Sequence, residues 1–223
     1  MTSQWAVPHG VTPETSRLLG ERAHEEIIAG NLGDARLLDV RELVRESWRR
    51  SLASAVGAED LPPLEFTREA IEAYRREHPL AGARDMIRAL LIPGDAASSG
   101  VVVAVGDAAG RLLWVEGDHG IQTLTSDMGF VAGANWSEAT VGTSAPGTAL
   151  QLGQSVQIQG AEHFNRFVQP WSCTAAPVRD PETREILGVI DVTGGVEAVT
   201  PQAQLLVDAT ARAVESELLV ARL

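Results

Sequence analysis

The hydrophobic pattern of the chain changes period near residue 100, and no other feature limits the fold as much. Before that point Leu37, Val40, Val44, Trp48 and Leu52 recur at spacings of three and four, which puts them on one helical face. After it, Val101-Val102-Val103-Ala104-Val105 is a continuous apolar run. Asp107-Ala108-Ala109-Gly110 has turn chemistry, and Arg111 to Glu116 is a second strand-like run. Helices therefore precede a β-hairpin. Two strands joined by so short a turn are antiparallel neighbours, so the sheet starts antiparallel.

The other segments fit this frame. Glu14 to Ala29 is helical and stops at Gly30-Asn31; Thr67 to Glu77 and Ala81 to Leu91 are helices broken by His78-Pro79 and Pro93-Gly94. Leu61-Pro62-Pro63-Leu64 is a linker. Thr143 to Leu152 reads as a short helix with Thr143 as N-cap. Ser155 to Gln159, Trp171 to Val178 and Glu185 to Val192 read as strands, and a last helix starts near Pro201 behind Thr200. The expected fold class is α+β, an antiparallel sheet flanked by helices with an N-terminal helical extension. The expected division is a flexible arm over 1–34, the helical extension over 35–92 and a sheet domain over 93–223.

Composition excludes several functions. Eighteen basic residues, all arginine, stand against thirty acidic ones, a net charge of −12 with no basic face in the linear sequence. Direct binding of nucleic acid by this chain is not expected, nor is attachment to anionic lipid. The only cysteine, Cys173, rules out an intrachain disulfide and a zinc site of several thiolates. The N-terminus lacks the pattern of a signal peptide, and the longest apolar runs fall far short of a membrane span. A cytoplasmic location is expected.

The middle of the chain is the most specific part. Gly129-Phe130-Val131-Ala132-Gly133-Ala134-Asn135-Trp136-Ser137-Glu138 is followed by Val141-Gly142-Thr143-Ser144-Ala145-Pro146-Gly147-Thr148-Ala149-Leu150. Then come Glu162-His163-Phe164, Trp171-Ser172-Cys173-Thr174-Ala175-Ala176-Pro177-Val178 and Leu187-Gly188-Val189-Ile190-Asp191-Val192. In this order the series resembles the sensory GAF domain of bacterial activators of acetoin and glycerol catabolism, with Ser144 where asparagine is usual. Ser47-Trp48-Arg49-Arg50-Ser51 is similar to the leading helix of that family, so the resemblance runs from about 40 to 222. It implies a GAF-like fold and a small-molecule sensor in transcriptional regulation with no catalysis and no cofactor. The implied effectors are small alcohols, ketones, diols or their relatives. It also implies an ATPase domain and a Fis-type helix-turn-helix that do not follow residue 223. The sequence is thus expected to be a fragment of such a regulator, or a shortened member acting through a partner.

The residues carry their own readings. Trp136 and Glu138 set an apolar plane beside a carboxylate, either to line a ligand site or to close the core and cap a helix. The glycines of 142–147 either bring backbone N–H groups to a ligand or permit tight packing; Gly-Lys-[Ser/Thr] is absent, so this is no P-loop. Glu162-His163 is half of a general-base pair, but no second histidine stands at metal-ligand spacing. A haem ligand is a remaining reading for His163; a cavity-lining histidine fits better. Cys173 reads as a small buried hydrophobe rather than a redox thiol, and Asp191, before Thr193-Gly194, as a turn residue. The expected sensor cavity is bordered by Trp136, Glu138, Thr143, His163, Phe164, Trp171 and Cys173, with no metal. The alternatives are a methionine-sulfoxide reductase on the same scaffold, against which a single cysteine speaks, and a pure dimerisation module. On the last helix Val207, Ala211, Val214, Leu218 and Ala221 make a heptad-like stripe, expected as a homodimer seam. Leu205, Leu206 and Leu219 are expected to pack on the sheet.

Overall fold

The computed structural model describes residues 6, 7, 12–92, 94 and 99–223. The hairpin forms as expected, with β1 (Val101–Asp107) antiparallel to β2 (Leu112–Gly117). The Asp107 carboxylate closes its turn by accepting from the backbone N–H groups of Ala109 and Arg111, both at 2.9 Å. The register slips between Val105 and Gly106, which turns Leu112 to one face and Leu113 and Trp114 to the other.

Three more strands complete the sheet: β3 (Val156–Gln159), β4 (Ser172–Arg179) and β5 (Ile186–Gly194). The order is β2-β1-β5-β4-β3 and every pairing is antiparallel. β5 is thus the middle strand, and alternation sends Ile190 and Val192 to one face and Val189, Asp191 and Thr193 to the other.

On the first face Val103, Val105, Ala176, Val178, Ile190 and Val192 pack against α3 (Arg68–Glu77), α4 (Arg84–Leu91) and α8 (Pro201–Val220). On the second, Val156, Ile158, Cys173, Ala175 and Val189 pack against α1 (Pro13–Ile28), α2 (Glu42–Ala53) and α7 (Ala145–Leu152). Beside that cluster Val102, Ala104 and Leu112 meet Phe130, Trp136 and Val141 of the middle segment. The segment also holds two short helices that periodicity did not reveal, α5 (His119–Ser126) and α6 (Glu138–Val141).

Several expectations change. Of the arm expected over 1–34, residues 1–5 and 8–11 lie outside the described residues, and so does Pro93 of the expected stop. Within that arm, α1 is held: Ala23, His24 and Ile27 are buried. The helix expected to start near Leu37 begins at Glu42, because Asp34 caps a separate 3-10 turn, Ala35–Asp39, and the backbone is extended at Val40. Ser144, not Thr143, caps α7, its side chain accepting from Gly147 N at 3.3 Å.

The two faces of α8 are exchanged relative to expectation. Val207, Ala211 and Val214 are buried against the chain's own sheet, whereas Leu205, Leu206 and Leu219 are exposed. The physical reason is size: the stripe of short side chains lets the helix axis approach the sheet closely, and the leucines would hold it off.

Candidate functional site

The second face carries the polar chemistry. α2 delivers Ser47, Trp48 and Arg50 one turn apart on the side facing the middle segment. Glu138, at the start of α6, is the node they meet. Its Oε1 accepts from Arg50 Nε at 2.5 Å, and its Oε2 accepts from Ser47 Oγ at 2.6 Å and Thr148 Oγ1 at 3.1 Å. Ser47 has one proton and gives it to the carboxylate, so Thr143 Oγ1 donates to Ser47 at 2.6 Å. Glu138 is buried with both oxygens occupied and its charge balanced by Arg50. Glu138 and Thr143 are therefore bound into the frame that joins α2, α6 and α7.

Trp136 belongs to the same frame. Its indole N–H donates to Gly129 O at 3.0 Å and its ring meets Phe130 edge-on at 4.8 Å. The neighbouring Asn135 uses its amide on Glu65 Oε1 and Ser137 N. Tight packing explains the glycines: a Cβ on Gly147 would lie 2.6 Å from Glu138 N, and one on Gly142, at φ +73°, 2.7 Å from the Phe164 side chain.

Glu162-His163-Phe164 is a clasp for the N-terminal helices. The Glu162 carboxylate pairs with Arg41 at 2.5 Å while its carbonyl accepts from Trp48 Nε1 at 2.8 Å. The Phe164 carbonyl accepts from His24 Nε2 at 2.7 Å, and the His24 ring stands edge-on to Trp48 and Phe164. Burial lowers the His24 pKa and brings that of His163 down to about 4, so both imidazoles are neutral. His163 donates from Nδ1 to Gly160 O at 2.9 Å, which leaves Nε2 as an acceptor, buried and without a partner.

The third polar group sits on the sheet itself. Cys173 and Thr193 are direct cross-strand partners, and Thr193 Oγ1 lies 3.2 Å from Cys173 Sγ and 2.6 Å from Asp191 Oδ2. Asp191 is fully buried in the middle of β5, not in a turn, and its Oδ1 has no partner among the described residues. Burial raises its pKa to about 7. It also raises that of the Cys173 thiol, and the Asp191 charge adds to the effect. Asp191 is the residue that sequence reading missed; the signal was a lone carboxylate inside the apolar run from Leu187 to Val192.

The expected border residues thus divide. Trp136, Glu138 and Thr143 belong to the frame and Phe164 to the clasp. His163 and Cys173 are buried polar groups on the second face, and Trp171 is half-buried beside Trp136 and Val168 in the second cluster. None of the seven lines the open groove of about 790 Å3 beside α8, whose walls include Gln154, Ala176, Arg179, Leu205 and Arg212. The Glu138 node has hydroxyls but no imidazole among its bonds, and a thiol held protonated is a poor nucleophile. Among the described residues no group of three His, Cys, Asp or Glu is placed to hold a metal, and no helix is long and apolar enough to cross a membrane.

Comparison with known proteins places this arrangement. Residues 20–217 match the family described as "MimR, N-terminal domain". The chain is 51% identical over 180 residues to an uncharacterized 47.3 kDa protein in the thcA 5′ region of Rhodococcus erythropolis, covering 80% of this chain and 41% of that protein. It is 31% identical to the acetoin dehydrogenase operon transcriptional activator AcoR of Bacillus subtilis, over 85% of this chain and 31% of that protein. It is 28% identical to the propane 2-monooxygenase operon transcriptional activator MimR of Mycolicibacterium goodii, over 93% and 34%. The chain therefore spans roughly a third to two fifths of these relatives. Those named for a function are transcriptional regulators, not enzymes. Among solved structures, the Escherichia coli DhaR(N)–DhaL complex superposes with a TM-score of 0.70 at 25% identity, covering 81% of this chain and 61% of that one. The antiparallel sheet flanked by helices is the fold the two share.

Proposed function

The chain belongs to the MimR N-terminal domain family, and from that premise we propose that it is the sensory region of a transcriptional activator, taking up a small organic effector. The observation that carries this reading is the family match, which runs from within α1 almost to the end of α8. Two buried polar atoms of the second face that have no partner among the described residues, His163 Nε2 and Asp191 Oδ1, support it. In this reading the sheet domain over 93–223 holds the effector, and α2, from the helical extension over 35–92, closes that face. The site lies where His163, Trp171 and Cys173 approach the sheet, with Trp136, Glu138, Thr143 and Phe164 as its supporting frame. The protein acts in the cytoplasm, as its operon-activating relatives suggest.

A thermal-shift panel of acetoin, acetone, isopropanol and propylene glycol tests the reading. At least one compound is expected to raise the melting temperature in a concentration-dependent way. Flat curves for all four would contradict a small-molecule sensor of this class. They would favour a second reading, a protein-docking module, for which the DhaR(N)–DhaL complex is the relevant observation.

Pairing through α8 also belongs to the proposal, on a surface other than the buried stripe. Leu206, Ala209, Ala213, Ser216 and Val220 recur at spacings of three and four on the outward side of α8, with no charge among them. Leu206→Glu is expected to give folded monomers by light scattering, and Val214→Glu to unfold the domain. A folded Leu206→Glu dimer would remove this surface.

A further inference from the structure

Asp191 is a carboxyl group that the fold leaves half used. It is wholly buried on the middle strand, its Oδ2 accepts from Thr193 Oγ1 at 2.6 Å, and its Oδ1 has no partner among the described residues. A buried polar atom without a partner costs stability, and an apolar residue here would avoid the cost. Asp191 therefore has a use other than packing.

The surroundings say what kind. Its two cross-strand neighbours are Ala104 on β1 and Ala175 on β4, so short side chains flank the carboxyl on both sides. Ala104 belongs to the cluster of Trp136 and Val141, and Ala175 to the cluster of Phe164 and Val156. The carboxyl thus stands on the line where two apolar clusters meet. Donors converge on it from one side only. Thr193 Oγ1 donates to Asp191 Oδ2 at 2.6 Å, and the Cys173 sulfur lies 3.2 Å from the same hydroxyl. Both contacts are on the Oδ2 side and leave Oδ1 for something else.

We propose that Asp191, backed by Thr193 and Cys173, is the polar anchor of an internal effector site, and that its ligand is a short, neutral, hydroxyl-bearing molecule such as a hydroxyketone or a vicinal diol. The inference rests on the effector-sensing reading above and adds to it the anchor and the ligand class. An anion would face a carboxyl with no guanidinium among its hydrogen-bond partners. A cation would have to give up its hydration between two apolar clusters, where burying an ion pair recovers little. A hydroxyl group gives up less, since a carboxyl can both accept its proton and donate to its oxygen.

The experiment is calorimetric titration of acetoin and propylene glycol into the parent chain and into Asp191→Asn, Thr193→Val and Ala104→Val, each checked for folding by circular dichroism. Ala104→Val narrows the space beside the carboxyl without touching it, so it tests the site even where a change at Asp191 costs stability. The parent is expected to bind at least one probe. All three variants are expected to bind that probe at least about tenfold more weakly, which is about 1.4 kcal/mol. Equal binding by the parent and a folded Asp191→Asn or Ala104→Val variant overturns the anchor and leaves the sensor reading intact. A parent that binds neither probe, while acetone stabilises it in the thermal-shift panel, overturns the ligand class and again spares the sensor. Binding to none of the panel would overturn both.

Discussion

The two faces of the sheet bury similar numbers of strand side chains but treat polar groups differently. On the first face the buried polar side chains Gln157, Thr174 and Thr210 are all bonded. Gln157 accepts from Val7 N and donates to Thr174 and to the Thr200 carbonyl, Thr174 donates to the Ala198 carbonyl, and Thr210 to the Leu206 carbonyl. On the second face the bonds run across long sequence separations, from Ser47 and Arg50 to Glu138, Arg41 to Glu162 and His24 to Phe164. Among the described residues, the two fully buried side chains with an unpartnered atom, His163 and Asp191, are there too. A face whose polar groups are bonded only has to hold. In the proposed sensor, the face with two groups in reserve is the one whose arrangement responds to an effector.

The contrast can be broken by mutation. Trp48→Ala removes a fully buried indole and the donor to the Glu162 carbonyl, and is expected to cost about 4 kcal/mol in denaturant unfolding. Ile190→Ala on the first face is expected to cost about 3 kcal/mol but to leave any effector-induced thermal shift unchanged. If Ile190→Ala abolished that shift in a folded protein, the division between the faces would fail.

The reserve groups give opposite pH signatures. Burial raises the pKa of Asp191 to about 7. The folded state therefore holds a proton that the unfolded chain releases near pH 4, and this contribution to stability is lost as pH rises toward and through 7. Burial lowers that of His163 to about 4, so the unfolded chain takes up the proton first and stability grows from pH 4 toward 6.5. Between pH 5 and 7 each term is worth about 2 kcal/mol, with opposite sign. Relative to the parent, Asp191→Asn should gain stability as pH rises over this range and His163→Gln should lose it. Melting curves at three pH values check both, and parallel curves for parent and Asp191→Asn would mean that the carboxyl does not carry this proton.

The smallest expected effect is that of Cys173→Ser, which keeps an acceptor for Thr193 and should change stability by no more than about 1 kcal/mol. Effector binding should survive. A Ser variant that lost an oxidant response present in the parent would instead make the thiol a sensor in its own right.

Legibility in the sequence followed the range of the interactions. The hairpin was readable because Val101–Val105 and the Asp107 turn are local, and Thr200 announced α8 because an N-cap bonds within its own first turn. The two stripes of α8 were not separable. Leu205 and Leu206 are more apolar than Ala211, yet the sheet takes the smaller residues because they permit close approach, a property of the partner surface and not of the helix. Glu138 could be marked as a site residue but not as the node of α2, since Ser47 and Arg50 lie about ninety residues away in sequence. Asp191 read as a turn because Thr193-Gly194 follows it. Only pairing with Ala104 on one side and Ala175 on the other shows it to be central.

The claim that the second face senses and the first face supports is tested most directly by hydrogen–deuterium exchange with and without a panel compound that raises the melting temperature. The account predicts slowed exchange in peptides covering α6, the 160–171 segment and β5, with α3, α4 and the first turns of α8 unchanged. Protection confined to α8 and the groove beside it, with the 160–171 segment unaffected, would contradict it.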